Sequence, residues 1–265
     1  LSDAPPPPPA VIGLGRGCME VAIGDAATRQ LKTSETVARD IVRDIVEQGL
    51  RTGDRMPAEP VMLERYGVSR ESLREGLRLL ETQGFITIRR GPGGGPVVGR
   101  IDPANLGRIS SLYYHLAGAT YHELFEAWVV MESMLAEFAA RNAGRTEARQ
   151  ALEPFLTASL EPLEEDSAAF FQAHAHFHAA VASLAGNRVL ELAFQTSGQI
   201  VSHHVMVTAD PRELREILEH DHALVAKAIM AGHARKAGAQ MAEHIENVAS
   251  YYRAAQDLNE LIDWR

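Results

Sequence analysis

The 265-residue chain has a single cysteine, Cys18, so it can form neither an intrachain disulfide nor a cysteine-based zinc cluster. No apolar run approaches the ~18 residues that a membrane span needs. The first residues lack the basic start and apolar stretch of a signal peptide. A cytoplasmic protein without a membrane partner is the expectation. No His-Glu-x-x-His motif is present, and no histidine precedes residue 102. What is there is ordinary for a globular protein: 46% hydrophobic and 23% charged residues. That balance excludes whole-chain disorder and collagen-like repeats. The length suits one or two domains.

The net charge of −9 hides an asymmetry. Residues 31–101 carry 12 Lys+Arg against 10 Asp+Glu, whereas residues 102–265 carry 12 against 22. All 11 histidines lie in the second stretch. A mildly basic, His-free segment followed by an acidic, His-rich one suggests two domains with different partners.

Residues 1–30 open with Pro5 to Pro9 and continue with Gly13, Gly15 and Gly17. Polyproline enters neither a helix interior nor a central strand, so a flexible or extended tail is expected. From Ser34 the pattern becomes helical. Val37, Ile41, Ile45 and Val46 recur at helical spacing up to Gly49. Residues 53–57 read as a turn. A short helix runs from Val61 to Tyr66 and stops at Gly67. Another starts behind Ser69, a good N-cap, and carries Leu73, Leu77 and Leu80. Phe85 to Ile88 alternates like a strand, a Gly/Pro turn follows, and Val97-Val98 can pair back. Three helices and a hairpin make a winged helix-turn-helix over residues 31–101.

Three strings carry a resemblance: Gly53-Asp54-Arg55-Met56-Pro57-Ala58-Glu59, Tyr66-Gly67-Val68-Ser69-Arg70-Glu71-Ser72-Leu73-Arg74-Glu75, and Leu79-Leu80-Glu81-Thr82-Gln83-Gly84-Phe85-Ile86. Together they resemble the DNA-binding domain of the GntR family. The resemblance implies a double-stranded DNA operator as partner. The residue chemistry agrees. Arg70, Arg74 and Arg78 are four apart and share a helix face, adjacent to a leucine face that can pack. The planar guanidinium suits guanine edges and phosphates. Arg89, Arg90 and Gly91 fall at the hairpin tip, where a wing can reach phosphate or minor groove. The candidate DNA-binding set is therefore Ser69, Arg70, Glu71, Arg74, Arg78, Arg89, Arg90 and Gly91. Two departures bear on operator sequence: Pro60 replaces a basic residue common in the family, and Glu71 replaces a common Thr.

Residues 102–265 read as helices almost throughout, over 103–117, 120–142, 146–160, 166–185, 187–208, 211–231 and 234–260. An all-α bundle is the economical architecture. In the stretch 170–184, Phe170, Phe171, His174, Phe177, His178, Val181 and Leu184 form one stripe. His174 and His178 thus lie one turn apart on an apolar face, while His176 points away. A lone histidine on such a face is more often a hydrogen-bonded core residue. A pair one turn apart also suits a metal ion. His222 lies with Leu218, Val225 and Ile229, and His244 with Met241 and Val248. Periodicity separates His222 from His220 poorly.

Asn187 after Ala185-Gly186, the string from His222 to Gly232, and Met241-Ala242-Glu243-His244-Ile245 resemble the FCD effector domain of the FadR-type subgroup of GntR regulators. In many such domains an Asp and three His bind a divalent metal that helps hold a small carboxylate effector. The resemblance places His178, His222 and His244 on the three His positions and His174 on the Asp position. Four imidazoles without a carboxylate leave the ion's charge uncompensated. They favour zinc or nickel over magnesium or calcium. The family often has an Arg four residues before the Glu that is Glu132 here; this chain has Trp128. Loss of that clamp and gain of an aromatic wall suggest an effector with an apolar or aromatic part. Trp128, Glu132 and Asn187 are the expected effector-pocket residues.

These features imply a ligand-responsive regulator that binds a palindromic operator as a homodimer. Effector and DNA would favour different states. A metal sensor with no organic effector is one alternative, and a metal-dependent enzyme is a more remote one.

Overall fold

The apolar spacing after Lys32 folds into helices and a hairpin in the computed structural model. The structure describes residues 32–91, 93–156, 167–204, 211–255 and 257–265. The expected tail, residues 1–30, lies outside the described residues. The described chain divides into two compact units between Asn105 and Leu106. That division falls a few residues past the sequence boundary at 101/102.

In the first unit, α1 (Thr33–Glu47) buries Val37, Ala38 and Ile41, while Val46 is exposed. Helix α2 (Glu59–Tyr66) holds Pro60 in its first turn, where a missing N–H costs nothing. Gly67 ends it at φ 62°. Helix α3 (Arg70–Thr82) starts with the Ser69 hydroxyl accepting from the Ser72 amide at 3.2 Å. Leu73, Leu77 and Leu80 face the core with Met62 and Ile86. Gly76 lets α1 and α3 approach closely, since a Cβ there would lie 3.0 Å from the Ser34 carbonyl oxygen.

Strands β1 (Ile86–Arg89) and β2 (Gly95–Val98) pair antiparallel, from Ile86 opposite Val98 to Arg89 opposite Gly95. The segment expected as a turn does more than turn. The Gly53 amide donates to the Val98 carbonyl at 2.9 Å, and the Met56 amide donates to the Pro96 carbonyl at 3.0 Å. It edges the hairpin through an isolated antiparallel bridge between Arg55 and Val97. That pairing spans more than forty residues of chain, so local composition could not report it.

The second unit contains α4 (Pro103–Leu116), α5 (Tyr121–Asn142), α6 (Arg145–Leu152), α7 (Ser167–Leu184), α8 (Arg188–His204), α9 (Pro211–Met230) and α10 (Ala234–Ala255). Helices α5 and α10 run antiparallel. Ser133 donates to the Gly238 carbonyl at 3.0 Å near one end, and the Phe125 and Tyr252 rings stack at 6.0 Å near the other.

Two helix ends differ from the sequence reading. The helix expected over 146–160 stops at Leu152 and tightens into a 3-10 turn over Glu153–Phe155. Pro154 has no amide hydrogen for the next turn. The last helix ends at Ala255 rather than 260. The chain then folds back so that Tyr121 and His122 amides donate to the Glu260 and Leu258 carbonyls at 3.2 and 2.7 Å. Those amides belong to the first turn of α5, whose N–H groups have no partner inside the helix. Burial of Leu258 and Ile262 seals the arrangement. Among the described residues, no helix is long and apolar enough to cross a membrane.

Candidate metal centre and nucleic-acid interface

On α3, Arg70, Arg74 and Arg78 are all exposed, as are Ser69 and Glu71. Arg89, Arg90 and Gly91 are exposed at the hairpin tip, with Gly91 at φ 96°. The eight candidate residues thus lie on the surface of one unit, three of them at the turn of its wing. Glu81 accepts from the Ile88 amide at 3.1 Å and ties that wing to α3. Sequence reasoning missed one acidic partner. Glu59, the first residue of α2, lies 3.3 Å from Arg74 and 3.9 Å from Arg70. It closes the Pro57-Ala58-Glu59 string, but its meeting with α3 is a tertiary contact.

The histidines behave oppositely. His174, His178, His222 and His244 are all buried, and one ligand nitrogen from each lies within 4.8 Å of the others. His176, His220 and His233 are exposed. The structure therefore separates His222 from His220. The side chains of His203 and His204 lie outside the described residues. Helix α7 supplies two ligands one turn apart, and α9 and α10 supply one each. Phe177, Val181, Leu218, Val225, Met241 and Val248 pack around them.

The approaches are close. His174 Nδ1 is 3.1 Å from His222 Nε2, and His178 Nε2 is 3.3 Å from His244 Nε2. Zinc bonded to imidazole at about 2.0–2.1 Å in a tetrahedron sets its ligands about 3.4 Å apart. These two pairs fit that spacing, and the wider pairs need a small inward movement. Burial, then the neighbouring imidazoles, push His174 and His222 well below the usual histidine range. Burial also lowers His244, against the opposing pull of Asp221. Neutral imidazole is the ligating form.

The second ring nitrogens correct one expectation. The charge of an ion held there would not be left uncompensated, because two carboxylates stand behind two of the histidines. Glu132, 0% exposed on α5, brings Oε1 to 2.7 Å from His178 Nδ1. The approach is an ion-pair distance without hydrogen-bond alignment. Asp221 Oδ2 lies 3.3 Å from His244 Nδ1 and accepts from Asn247 at 3.1 Å. Burial works to raise the Asp221 carboxyl, but His244 and Asn247 outweigh it and hold it below its usual range. Asp221 thereby orients the His244 imidazole so that its Nε2 faces the centre, and Glu132 stands on the far side of the His178 ring. A helical stripe reports which residues face inward, not what touches the far side of a ring.

Trp128 is buried one turn before Glu132, with its ring 6.3 Å from that of His178. Asn187 is placed differently. Its side-chain oxygen accepts from the Val189 and Leu190 amides at 3.1 and 3.2 Å, capping α8. It is not among the groups that touch the histidines in the described contacts.

Comparison with known proteins follows these two sites. The family model described as bacterial regulatory proteins, gntR family, matches residues 33–94, and the FCD domain model matches residues 123–247. The Uxu operon transcriptional regulator of Escherichia coli (strain K12) is 31% identical over 220 residues, 78% of this chain and 82% of the relative. This chain belongs to the GntR family, in the FadR subgroup with an FCD domain. The Glc operon transcriptional activator of the same strain is 25% identical over 225 residues, 81% of this chain and 86% of that one. A solved structure of Streptococcus agalactiae GntR superposes with a TM-score of 0.61 at 20% identity, covering 82% of this chain and 99% of that one, and so shares the fold. The GntR-family relatives are transcriptional regulators rather than enzymes, and this chain is a DNA-binding regulator of the same family. The buried four-histidine cluster is a possible metal site within its FCD domain.

Proposed function

We propose that this regulator binds a palindromic operator as a homodimer and responds to a small carboxylate effector held beside a divalent metal, zinc or nickel. The observation that carries the metal is the convergence of four buried imidazoles, two of them backed by Glu132 and Asp221. His174, His178, His222 and His244 would hold the ion, which would supply a Lewis-acidic anchor for the effector carboxylate. Trp128 and Glu132 line the expected pocket. Asn187 contributes by fixing the turn between α7 and α8. Ser69, Arg70, Glu71, Arg74, Arg78, Arg89, Arg90 and Gly91 form the operator-contacting surface. The local charge excess there is small, so affinity depends on a few arginines and on two-fold avidity.

The homodimer draws support from α4. Its small residues Gly107 and Ser111 are buried, while Leu106, Ile109, Leu112, Tyr113 and Leu116 are exposed. A helix that turns its large apolar side chains outward offers an association surface.

The test is the metal content of purified protein beside that of His178→Ala. About one ion per chain, lost in the variant, is expected. A metal-free protein that folds and binds DNA normally would return the histidines to core packing. The all-imidazole set also favours a second reading, in which the ion itself is the signal. Operator affinity that follows chelator and zinc alone, with no organic acid present, would select it.

A further inference from the structure

The bundle has a cavity away from the histidine centre. Helix α4 rests on α8 through small residues. A Cβ at Gly107 would lie 3.2 Å from Gln199 Cβ and 3.3 Å from the Thr196 carbonyl oxygen, and Ser111, one turn on, is buried too. Contact through the smallest side chains leaves the space on their flank unfilled. The result is a groove of about 420 Å³ between α4, α5 and α8, bordered by Ser110 and Tyr114, by Ala127 and Met131, and by Thr196 and Ser197. That size is within the range of small-molecule sites. None of the four clustered histidines borders it.

The chemistry of the walls selects an apolar body. The Thr196 hydroxyl donates to the Leu192 carbonyl at 2.7 Å, and the Ser197 hydroxyl donates to the Ala193 carbonyl at 3.1 Å. With those donors spent on their own helix, α8 offers mainly hydrocarbon surface. The start of α5 selects the charge. Glu123 is the one charged residue bordering the groove. Its Oε2 accepts from the Thr120 amide at 2.9 Å and from the Thr120 hydroxyl at 3.3 Å, which fixes the carboxylate and leaves Oε1 as its remaining acceptor. A helix start ordinarily favours an anion through its free amides. Here those amides are taken: Thr120 and Glu123 by the capping box, Tyr121 and His122 by the Glu260 and Leu258 carbonyls. An anion finds no backbone donor there and meets a carboxylate. A cation meets that carboxylate and the Tyr114 ring, whose face attracts positive charge.

We infer that this groove is a second ligand site of the bundle, for an apolar cation: an ammonium group beside Glu123 and Tyr114, and a hydrocarbon body between α4, α5 and α8. The assignment is independent of the metal reading, because neither the walls nor the charge involve the histidines. The two sites then take ligands of opposite charge.

The experiment titrates the full-length protein by calorimetry with octylammonium and with 1-octanol. The two share an eight-carbon tail and differ in the charge of the head, and neither carries a carboxylate that a metal centre would take. Octylammonium should bind at one site per chain, about tenfold tighter than 1-octanol. Glu123→Gln keeps the capping box, since Gln serves there as Glu does. It should raise the octylammonium Kd about three- to tenfold and leave that of 1-octanol unchanged. Ala127 is exposed, so Ala127→Phe is compatible with the fold while its ring occupies the groove. Saturable binding of both probes should be lost in that variant, with a melting temperature equal to that of wild type. No saturable binding to wild type, 1-octanol as tight as octylammonium, an unchanged octylammonium Kd in Glu123→Gln, or full binding to Ala127→Phe would each overturn the assignment.

Discussion

The two units place their chemistry in opposite environments. In the first, the arginines proposed to meet DNA are exposed, and Arg74 retains 62% of its side-chain accessibility while paired with Glu59. In the second, every candidate ligand is buried, and carboxylates stand behind two of them, His178 and His244. Exposed pairs contribute little to stability, about 0–1 kcal/mol, so the DNA surface can change with little effect on the fold. Buried polar groups are costly unless matched, so the centre of the bundle and the stability of the bundle are one problem. The arginine surface is separable from its scaffold; the histidine site is not.

Metal removal tests that contrast most strongly. With zinc a thousandfold above its Kd, binding stabilises the folded unit by about 4 kcal/mol. For a unit of this size that corresponds to roughly 8–16 °C in melting temperature. Scanning calorimetry with and without a chelator should lower the transition of the FCD unit by that order and leave that of the DNA-binding unit in place. Equal movement of both, or of neither, would break the comparison.

Gly76→Val supplies the converse. A Cβ at Gly76 already meets the Ser34 carbonyl oxygen at 3.0 Å and Val37 Cγ1 at 3.3 Å, and valine adds two methyls to that crossing. Overpacking of this kind costs about 1–3 kcal/mol. The urea midpoint of the DNA-binding unit should fall while zinc content stays unchanged. Arg74→Ala sharpens the same side. Losing a contact of this class weakens operator binding by about 1–3 kcal/mol, roughly ten- to a hundredfold. Its unfolding midpoint should match wild type within about 0.5 kcal/mol. A large stability loss would mean that Arg74 belongs to the scaffold.

The contrast also explains what was legible in the sequence. Exposed and buried faces follow from helical period, so the α3 arginines, the leucine core and the inward His174, His178 and His244 could be read, whereas only the family string told His222 from His220. Helix existence was legible for the same reason. Contacts between elements were not. Asp221 adjoins His222 in sequence, yet its role depends on α10 bringing His244 and Asn247 to it. Asn187 matched a family string, and its side chain turned out to be spent on capping α8. The end of α10 was missed because residues 257–262 leave the helix to bond the first turn of α5, a gain invisible to local propensity.

The smallest effect tests whether the exposed unit is organised at all. Glu59 is an acidic residue beside a surface that must meet phosphate, so a simple charge account expects its removal to strengthen DNA binding everywhere. The geometry gives a second expectation. Its carboxylate holds the Arg74 guanidinium from one side, which fixes the direction of the remaining donors toward a base edge. Glu59→Gln should leave the unfolding midpoint within about 0.5 kcal/mol of wild type. Affinity for a random duplex should rise modestly, while affinity for an operator selected from a randomised pool should not rise with it, so that selectivity falls. Fluorescence anisotropy on both duplexes reads the two numbers. An equal rise on both would reduce Glu59 to a misplaced charge. A loss of selectivity alone would mean that even on the exposed unit a carboxylate behind the functional cation sets its aim, as Glu132 and Asp221 do behind the histidines, at a far smaller energetic stake because water shares the work.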